Sequence, residues 1–444
     1  MLKPNCRRAR YRGVLFLLLA GCGLTHLGQA ADSPASLASR LLPICVHEHM
    51  QSRCGLLQRD GQWAVTPRYE ALYVRDDGWR FERDGKSGLL HTDGSPWLDA
   101  KYQTIGAFHH GYAPAGKRWT QKGFIDRRGH WVIAPKYAST GPLVDGRAPV
   151  CRSDDGQRRC HYIDRDGGIA FDGEYAKAGV FKYGMAVIQP VGSNTISTRG
   201  RRVGLIDREG HTLIEPASRN ALHILGPDRV LEASRDRYAL IDPSDKTLFE
   251  VAHDGLLMSA GAGLLAYRPT PSSGIGLRRI ATDEVVVAPD NGYATRPRFA
   301  HGTSTVLAAG AAQGPRVMLI DPRGQILIQP GHYQGIGPFF DGVGPVSIER
   351  GHWQLVNING KTVTNADYAR LEPAWKSAKQ THRVGDVWAA TPADAVSDRI
   401  WIDSRGTTLA RREALDCGTE IVRNGAGAII WPSELDADCR AGDT

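Results

Sequence analysis

Short runs of apolar residues alternate with polar turns along most of the chain, and the runs recur in the same order. In one copy, residues 123–126 read Gly-Phe-Ile-Asp, a turn follows to Gly129, and residues 131–137 read Trp-Val-Ile-Ala-Pro-Lys-Tyr. Both apolar runs are short and a glycine turn joins them, so the pattern predicts two paired β-strands. The proline fits the end of the second strand, because it cannot donate to a ladder.

This unit recurs about ten times, at spacings of 33 to 46 residues. The predicted unit starts are Gly55, Gly88, Gly123, His161, Gly204, Ala239, Gly276, Met318, Gln354 and Ile400. Many units add a third short strand after an aromatic residue and a glycine, as at 108–113 and 181–187. No stretch keeps a helical period over more than about 10 residues. The sequence therefore predicts an all-β fold, a tandem array of three- to four-stranded antiparallel units.

Units of this length bury their apolar faces by stacking on their neighbours. A closed propeller usually has about 4–8 blades, fewer than the units counted here. The pattern is therefore compatible with a propeller-like ring or with an open β-superhelix. We predict that the array covers residues 55–410, after a lead-in at 32–54 with a short helix from Ser36 to Leu42. Residues 411–444 are predicted to form a C-terminal cap.

The repeat resembles the WG-repeat family, whose unit reads Trp-Gly-aromatic-Ile-Asp, a turn glycine, an apolar run, proline and tyrosine, then phenylalanine, glycine and a strand of small residues. The clearest matches are residues 123–148, 162–187, 204–216 and 319–346. The chain departs from the family at the first position, where Ser87, Lys122 and Val203 stand in place of tryptophan. The resemblance implies a binding or scaffold role and supplies no catalytic residues.

Residues 1–31 are typical of an export signal. Basic residues precede an apolar core at 14–20, which is shorter than the about 20 residues that span a bilayer. Residues 19–22, Leu-Ala-Gly-Cys, resemble a bacterial lipobox, which would limit the signal to 1–21 and make Cys22 the lipidated first residue. Residues 28–31 alternatively fit ordinary signal-peptidase cleavage. The first interpretation predicts anchoring to the outer membrane, and the second a soluble periplasmic or secreted protein.

The formal net charge of +8 overstates the charge of the exported chain, because the signal carries basic residues and no acidic one. Five of the positive charges lie there: Lys3, Arg7, Arg8, Arg10 and Arg12. Elsewhere lysine and arginine are spread through the repeats. A nucleic-acid partner is not predicted, because such a protein concentrates its basic residues on one face.

Six of the eight cysteines fall into three local pairs, apart from Cys6 and Cys22. The pairs are Cys45 with Cys54, Cys151 with Cys160, and Cys417 with Cys439. None has the C-x-x-C spacing common in zinc sites, so disulfides are favoured over metal binding. The pairs predict an oxidising compartment.

Two groups of polar residues invite a catalytic or metal-binding interpretation. The sequence His47-Glu48-His49 lacks the H-E-x-x-H spacing of a zinc protease and has no evident third ligand, so surface histidines are favoured. The acidic residue that ends the first strand, such as Asp126 or Asp321, recurs in many units. A residue repeated in this way favours a structural role in the following turn. No catalytic residue, metal or cofactor is predicted.

The tryptophans divide into two groups. Trp63, Trp97 and Trp131 occupy one position of the repeat, which predicts core residues. The candidates for a binding surface lie off that position: Trp79, Trp119, Trp375, Trp388 and Trp431. Exposed tryptophans often dominate the binding energy of an interface.

The sequence thus predicts an exported cell-envelope protein that acts without catalysis, as a binding or scaffold module. The expected partner is an envelope protein or a cell-wall glycan such as peptidoglycan, and the membrane is contacted only through the lipid anchor. Two alternatives stay open: an envelope hydrolase on a propeller-like scaffold, and a protective inhibitor of a toxin that acts on the envelope. A hydrolase would need unique polar residues near the axis, and the sequence has no G-x-S-x-G motif to supply a serine nucleophile.

Overall fold

A computed structural model describes residues 41–48, 51–154, 156–192, 201–309, 316–364, 367–374, 386–394, 398–415 and 417–433. This part of the chain consists of eight antiparallel sheets, and in each sheet the strands follow in sequence order. The all-β repeat architecture predicted from the sequence is confirmed. All ten predicted unit starts lie within strands. In this part of the chain, no helix is long and apolar enough to cross a membrane.

The first four sheets contain three, four, four and seven strands. The first has β1 (Leu41–Glu48), β2 (Gln51–Gln58) and β3 (Trp63–Tyr69). The second has β4 (Ala71–Arg75), β5 (Gly78–Arg83), β6 (Lys86–Leu90) and β7 (Pro96–Tyr102). The third has β8 (Thr104–Ile105), β9 (Tyr112–Arg118), β10 (Gln121–Asp126) and β11 (Trp131–Tyr137). The fourth has β12 (Ser139–Thr140), β13 (Ala148–Asp154), β14 (Gln157–Ile163), β15 (Tyr175–Ala178), β16 (Met185–Pro190), β17 (Arg202–Asp207) and β18 (Thr212–Ser218).

The last four sheets contain four, four, three and nine strands. The fifth has β19 (Ala221–Gly226), β20 (Arg229–Ala233), β21 (Arg237–Ile241) and β22 (Thr247–Ala252). The sixth has β23 (Leu256–Gly261), β24 (Leu264–Arg268), β25 (Gly276–Arg279) and β26 (Val285–Val287), with a 3-10 turn at Pro289–Asn291. The seventh has β27 (Ser304–Leu307), β28 (Val317–Ile320) and β29 (Ile326–Ile328). The eighth has β30 (Gly335–Ile336), β31 (Val343–Glu349), β32 (His352–Asn357), β33 (Tyr368–Pro373), β34 (Val387–Pro392), β35 (Arg399–Asp403), β36 (Thr408–Ala414), β37 (Glu420–Asn424) and β38 (Ile429–Trp431).

The recurring glycine of the unit is required by a close approach of two strands. Strand β10 pairs with β11 through two register shifts around Phe124. A Cβ atom on Gly123 would lie 2.3 Å from the carbonyl oxygen of Ile133. The same contact of 2.5 Å would arise between Gly55 and Val65. Glycine therefore recurs at this position of the unit, because the bulged strand pairing leaves no room for a side chain.

The recurring aspartate closes the turn that follows this strand. Oδ1 of Asp126 accepts hydrogen bonds from the backbone N–H groups of Arg128 and His130, at 2.9 and 2.8 Å. The same pair of bonds is made by Asp164, Asp207, Asp242, Asp321, Asn357, Asp403 and Asn424. The structural role predicted for this residue is confirmed, because each turn uses it as a backbone acceptor.

The recurring aromatic residues link one sheet to the next. The hydroxyl of Tyr102, at the end of the second sheet, donates to the carbonyl of Gly129 in the turn of the third. Nε1 of Trp97 donates to the carbonyl of Arg127 in the same turn, at 2.8 Å. Apolar clusters continue between successive sheets. Stacking of the units is therefore sustained by buried area and by aromatic hydrogen bonds to the neighbouring turn.

The last sheet packs against the first. One apolar core is shared by the first two sheets and the end of the eighth. Nε1 of Trp63 donates to the carbonyl of Ile430 at 2.8 Å, and Nη1 of Arg412 donates to that of Cys45 at 2.9 Å. The series of sheets thus returns to its start, which corresponds to the propeller-like alternative and not to the open β-superhelix.

The structure at the two ends of the array differs from the predicted helix and cap. Leu41 and Leu42 lie in strand β1 and not in a helix, because β1 pairs with β2 along its whole length and buries both side chains. The rest of the predicted helix, from Ser36, lies outside the described residues. Near the other end, β37 and β38 are joined by the Asn424 turn, so part of the predicted cap repeats the unit.

Candidate functional site

Six short turns of the same shape lie at one edge of the sheets, where they lead into β9, β13, β16, β24, β27 and β31. In each, a non-glycine residue with positive φ precedes a glycine that also has positive φ, as in a type I′ turn. The turns are His110-Gly111, Asp145-Gly146, Tyr183-Gly184, Ala262-Gly263, His301-Gly302 and Asp341-Gly342. The backbone is constant while the first side chain varies among imidazole, carboxylate, phenol and methyl. We name this edge the turn face.

Neighbouring turns contact each other, which makes the turn face continuous in places. Oδ2 of Asp145 accepts a hydrogen bond from the backbone N–H of Gly184 in the next turn, at 3.1 Å. The ring of His301 lies 4.6 Å from the ring of Phe340, which precedes the next turn. The side chain of Tyr183 is 55% exposed. The turn face therefore displays four types of side chain on a shared backbone frame, with a gap at the fifth sheet.

A cleft of about 520 Å³ opens between the fifth and sixth sheets, along β19, β20 and β23. Its floor includes Leu231 and Leu257, both buried, together with the partly buried Leu256. Tyr238 forms one wall and stacks on His253, with ring centroids 5.9 Å apart. The floor is thus mainly aliphatic, with one aromatic wall.

Two cations reach this cleft from other sheets. Lys182 comes from the turn before β16, and its Nζ donates to the carbonyl of Ile224 at 2.8 Å. Arg296 precedes β27, and its Nη1 donates to Sδ of Met258 at 2.6 Å. Burial, and then the positive charge of Arg298, lower the pKa of Arg296 below its ordinary value. Among the described residues, no aspartate or glutamate lines the cleft.

A second cavity of about 490 Å³ lies at the opposite edge, near the connection between β31 and β32. Glu349, Arg350 and Trp353 line it. It contains charges of both signs, and fewer apolar side chains line it than line the cleft. The geometry therefore favours the cleft as the more selective site for a ligand.

The recurring unit has a match among known families. The model of the WG containing repeat matches four segments: residues 88–118, 123–154, 162–189 and 318–350. This is a WG-repeat-containing protein. No curated protein matches the sequence.

Several solved structures are similar to this WG-repeat chain at low identity. BamB from Moraxella catarrhalis is 13% identical, with a TM-score of 0.32 over 66% of this chain and 94% of that chain. A eukaryotic initiation factor is 11% identical, with a TM-score of 0.39 over 88% of this chain and 95% of that one. The WD40 domain of Neurospora crassa Pan2 is 12% identical, with a TM-score of 0.28 over 52% and 82%.

The structure describes four of the five candidate tryptophans, and it places them very differently. Trp79 and Trp388 are fully buried, which corrects the prediction for these two. Trp79, on β5, lies in the core shared by the first two sheets and the eighth, and Trp388, on β34, packs against Phe340 with ring centroids 5.4 Å apart. Trp119, at the β9–β10 connection, is 67% exposed. Trp431 packs partly against the core shared by the first and last sheets. Trp375 lies outside the described residues.

The tryptophans that share one repeat position are half-buried between units. Trp63 and Trp97 donate to carbonyls of neighbouring sheets, and Trp131 packs edge-on against Tyr102 with ring centroids 5.8 Å apart. They serve as contacts between WG units and are not enclosed as fully as a core residue.

The two described cysteine pairs form disulfides. Cys45 joins Cys54 and Cys151 joins Cys160, each across directly paired strands with a Cα–Cα distance of 4.0 Å. Cys417 is also disulfide-bonded. Its predicted partner Cys439 lies outside the described residues, as do Cys22 and the whole predicted signal. Disulfides fit an oxidising, extracytoplasmic environment.

The motif at 47–49 is only partly described. The backbone N–H of His47 donates to Oε2 of Glu420 at 2.6 Å, which adds to the contact between the first and last sheets. His49 lies outside the described residues. Across the described ranges, no group of three or more histidine, cysteine, aspartate or glutamate side chains is placed to hold a metal ion. Sequence reasoning missed the cleft, because its lining comes from several units.

Proposed function

We propose that this protein is an exported, non-catalytic binding module of the bacterial cell envelope, and that it holds an envelope protein through its turn face. The observation that carries the proposal is the constant type I′ backbone of six turns, whose tips carry four different types of side chain. A repeated frame that varies at its exposed tips is how repeat proteins build extended recognition surfaces. The WG repeats supply that frame.

The proposed location rests on the cysteines. Two disulfides close short loops and would be reduced in the cytoplasm. Leu-Ala-Gly-Cys at 19–22 supports lipidation of Cys22, which would hold the module at the outer membrane. Several acyl chains on one cysteine would anchor it firmly, since one chain alone binds only marginally.

A protein partner fits the turn face better than a glycan does. Sugar-binding surfaces use exposed aromatic platforms, whereas the turn tips mix charged residues such as Asp145 and Asp341 with Tyr183 and two histidines. Trp119 is strongly exposed, yet it lies at the opposite edge, between β9 and β10. Mixed charge and aromatic contacts are typical of protein interfaces.

The test is affinity capture with crosslinking from envelope extracts. The wild type is compared with Tyr183→Asn and His301→Asn, since asparagine tolerates the positive φ of these positions. The matched control is Asp84→Asn, which changes a positive-φ turn residue at the opposite edge. We expect one stoichiometric protein partner, about tenfold weaker capture by the turn-face variants, and unchanged capture by the control.

Cys22→Ala adds a separate readout for the anchor. We expect this variant to leave the membrane fraction and to bind the isolated partner as the wild type does. If the protein is retained on purified peptidoglycan and captures no protein, we would conclude that its partner is a glycan. A toxin as the captured protein would indicate the inhibitor role. Capture of nothing, in both extracts and peptidoglycan, would contradict the binding role.

A further inference from the structure

We propose that the cleft between β19 and β23 binds a small amphipathic organic acid, whose apolar part rests on the leucine floor and whose carboxylate pairs with Lys182 and Arg296. This goes beyond the proposed function, because the cleft would take a small molecule whether or not the turn face binds a protein. Three observations support this proposal: the size of the cleft, the aliphatic lining of its floor, and the unused hydrogen-bond donors of its two cations.

The cleft has the size and the lining of a small-molecule site. Its volume of about 520 Å³ falls within the range typical of ligand pockets, roughly 300–1,000 Å³. Leu231, Leu256 and Leu257 provide aliphatic contact, and Tyr238 is held in place by its stack on His253. An apolar chain or ring placed there would be removed from water.

Arg296 lacks the partners that a buried charge needs, whereas Lys182 is exposed and its remaining donors are open to solvent or to a ligand. Nε of Arg296 is buried and has no hydrogen-bond partner. Its Nη1 donates to Sδ of Met258, and a thioether is a weak acceptor. Lys182 uses one donor on the carbonyl of Ile224, and an ammonium group has three. Both side chains therefore hold donors for an acceptor that the described lining does not supply.

A carboxylate satisfies these donors better than the other simple choices. Arginine binds a carboxylate through two parallel hydrogen bonds, and such charged bonds are the strongest available. Inorganic phosphate would leave the leucine floor exposed to water. A neutral apolar compound would cover the floor and leave Nε of Arg296 without a partner, at a desolvation cost. The combination of floor and cations thus selects an acid with an apolar body.

The test is isothermal titration of the whole exported chain with 4-phenylbutyrate and with its neutral amide. We expect the acid to bind at least about tenfold more tightly than the amide, because only the acid makes charged hydrogen bonds. Equal affinities, or no binding of the acid, would overturn the proposal. A second arm uses acetyl-Ala-Leu-Phe with a free carboxylate and with a carboxamide. Tighter binding of this peptide acid than of 4-phenylbutyrate would identify the carboxylate source as a polypeptide terminus.

Variants separate the role of the cations from general folding effects. Arg296→Gln and Lys182→Gln should each weaken the binding of 4-phenylbutyrate about tenfold. Lys246→Gln should not, because Lys246 is an exposed lysine of the fifth sheet that does not line the cleft. Met258→Glu places a carboxylate at the mouth and should abolish binding, while Met258→Leu keeps it. Circular dichroism and melting temperature check the fold. Unchanged binding in the Arg296 and Lys182 variants would overturn the proposal.

Discussion

The third sheet and the fifth sheet build the same unit by different means. In the third, Gly123 allows a bulged pairing and Tyr102 and Trp97 reach its turn from the preceding sheet. In the fifth, Ala239 stands at the glycine position and pairs directly with Glu250, without a shift at that point. The WG family model matches the third sheet and leaves residues 190–317 unmatched. The fifth sheet therefore keeps the strand arrangement of the unit although it lacks recurring side chains of the third.

Ion pairs and arginine contacts join the fifth and sixth sheets in addition to one aromatic pair, in which Phe249 packs edge-on against Tyr267 with ring centroids 5.5 Å apart. Glu232 is buried and pairs with Arg219 at 2.6 Å and with Arg237 at 3.3 Å. Arg229 donates from the fifth sheet to the carbonyl of Ile280 in the sixth, at 3.1 Å. The proposed ligand cleft lies in the same two sheets. The comparison teaches that departure from the repeat concentrates where the chain also forms its apolar cavity.

The largest effect is expected from breaking the buried ion pair. Glu232→Ala would remove the buried carboxylate that pairs with Arg219, whose side chain is only 10% exposed, and would leave Arg219 with the more exposed carboxylate of Asp245. Removal of one member of a buried pair costs about 3–5 kcal/mol. Urea unfolding should show this loss. The control is Glu174→Ala, which removes the exposed partner of Arg159 and should cost less than about 1 kcal/mol. Equal costs would show that Glu232 is not structurally buried in solution.

The next effect should come from the disulfide between Cys151 and Cys160. Replacement of both by serine opens a short loop and should cost about 2–3 kcal/mol by the chain-entropy model. Hydrogen exchange should accelerate at β13 and β14 and stay unchanged at β20 and β21. Uniform acceleration over both regions would indicate that the whole array unfolds as one cooperative unit.

Opposite substitutions at the glycine position compare the two sheets directly. Gly123→Ala forces a Cβ atom against the carbonyl of Ile133 and should cost about 2 kcal/mol. Ala239→Gly should cost only about 0.5–1 kcal/mol, because the backbone gains freedom while no contact is strained. Thermal unfolding of the two variants measures both. A larger loss for Ala239→Gly would contradict the role of the bulge.

Local patterns explain why much of the fold was predictable from the sequence. Strand, turn and Asx acceptor lie within about 15 residues of one another, so each copy of the unit contains the information for its own hairpin. Burial of Trp79 and Trp388 was not predictable in this way, because each packs in a core with residues distant in sequence, Trp79 with Val387 and Trp388 with Phe340. The cleft depends on Lys182 and Arg296, which are far apart in sequence and come together only when four sheets stack.

The third and fifth sheets share the turn in which an aspartate side chain accepts two backbone hydrogen bonds. Because the aspartate can be protonated, the stability of this turn depends on pH. The pKa values of Asp126 and Asp242 lie below the ordinary value of 3.8. For Asp242 the largest cause is the hydrogen bond from the hydroxyl of Ser244. For Asp126 burial raises the pKa, and hydrogen bonds from the amides of His130 and Arg128 outweigh it. A lowered pKa contributes stability above pH 3.8, and this stability is lost as the pH falls through the folded-state value.

Asparagine should preserve these turns and remove their pH dependence. Asn357 and Asn424 accept the same two backbone bonds in this protein. We therefore expect Asp126→Asn and Asp242→Asn to change stability at pH 7 by no more than about 0.5 kcal/mol. Below pH 3.8 each variant should lose less stability than the wild type, because its acceptor cannot be protonated in that range. Urea unfolding at pH 7 and pH 3 measures the difference. A parallel fall of variants and wild type would show that the acid sensitivity does not come from these two turns.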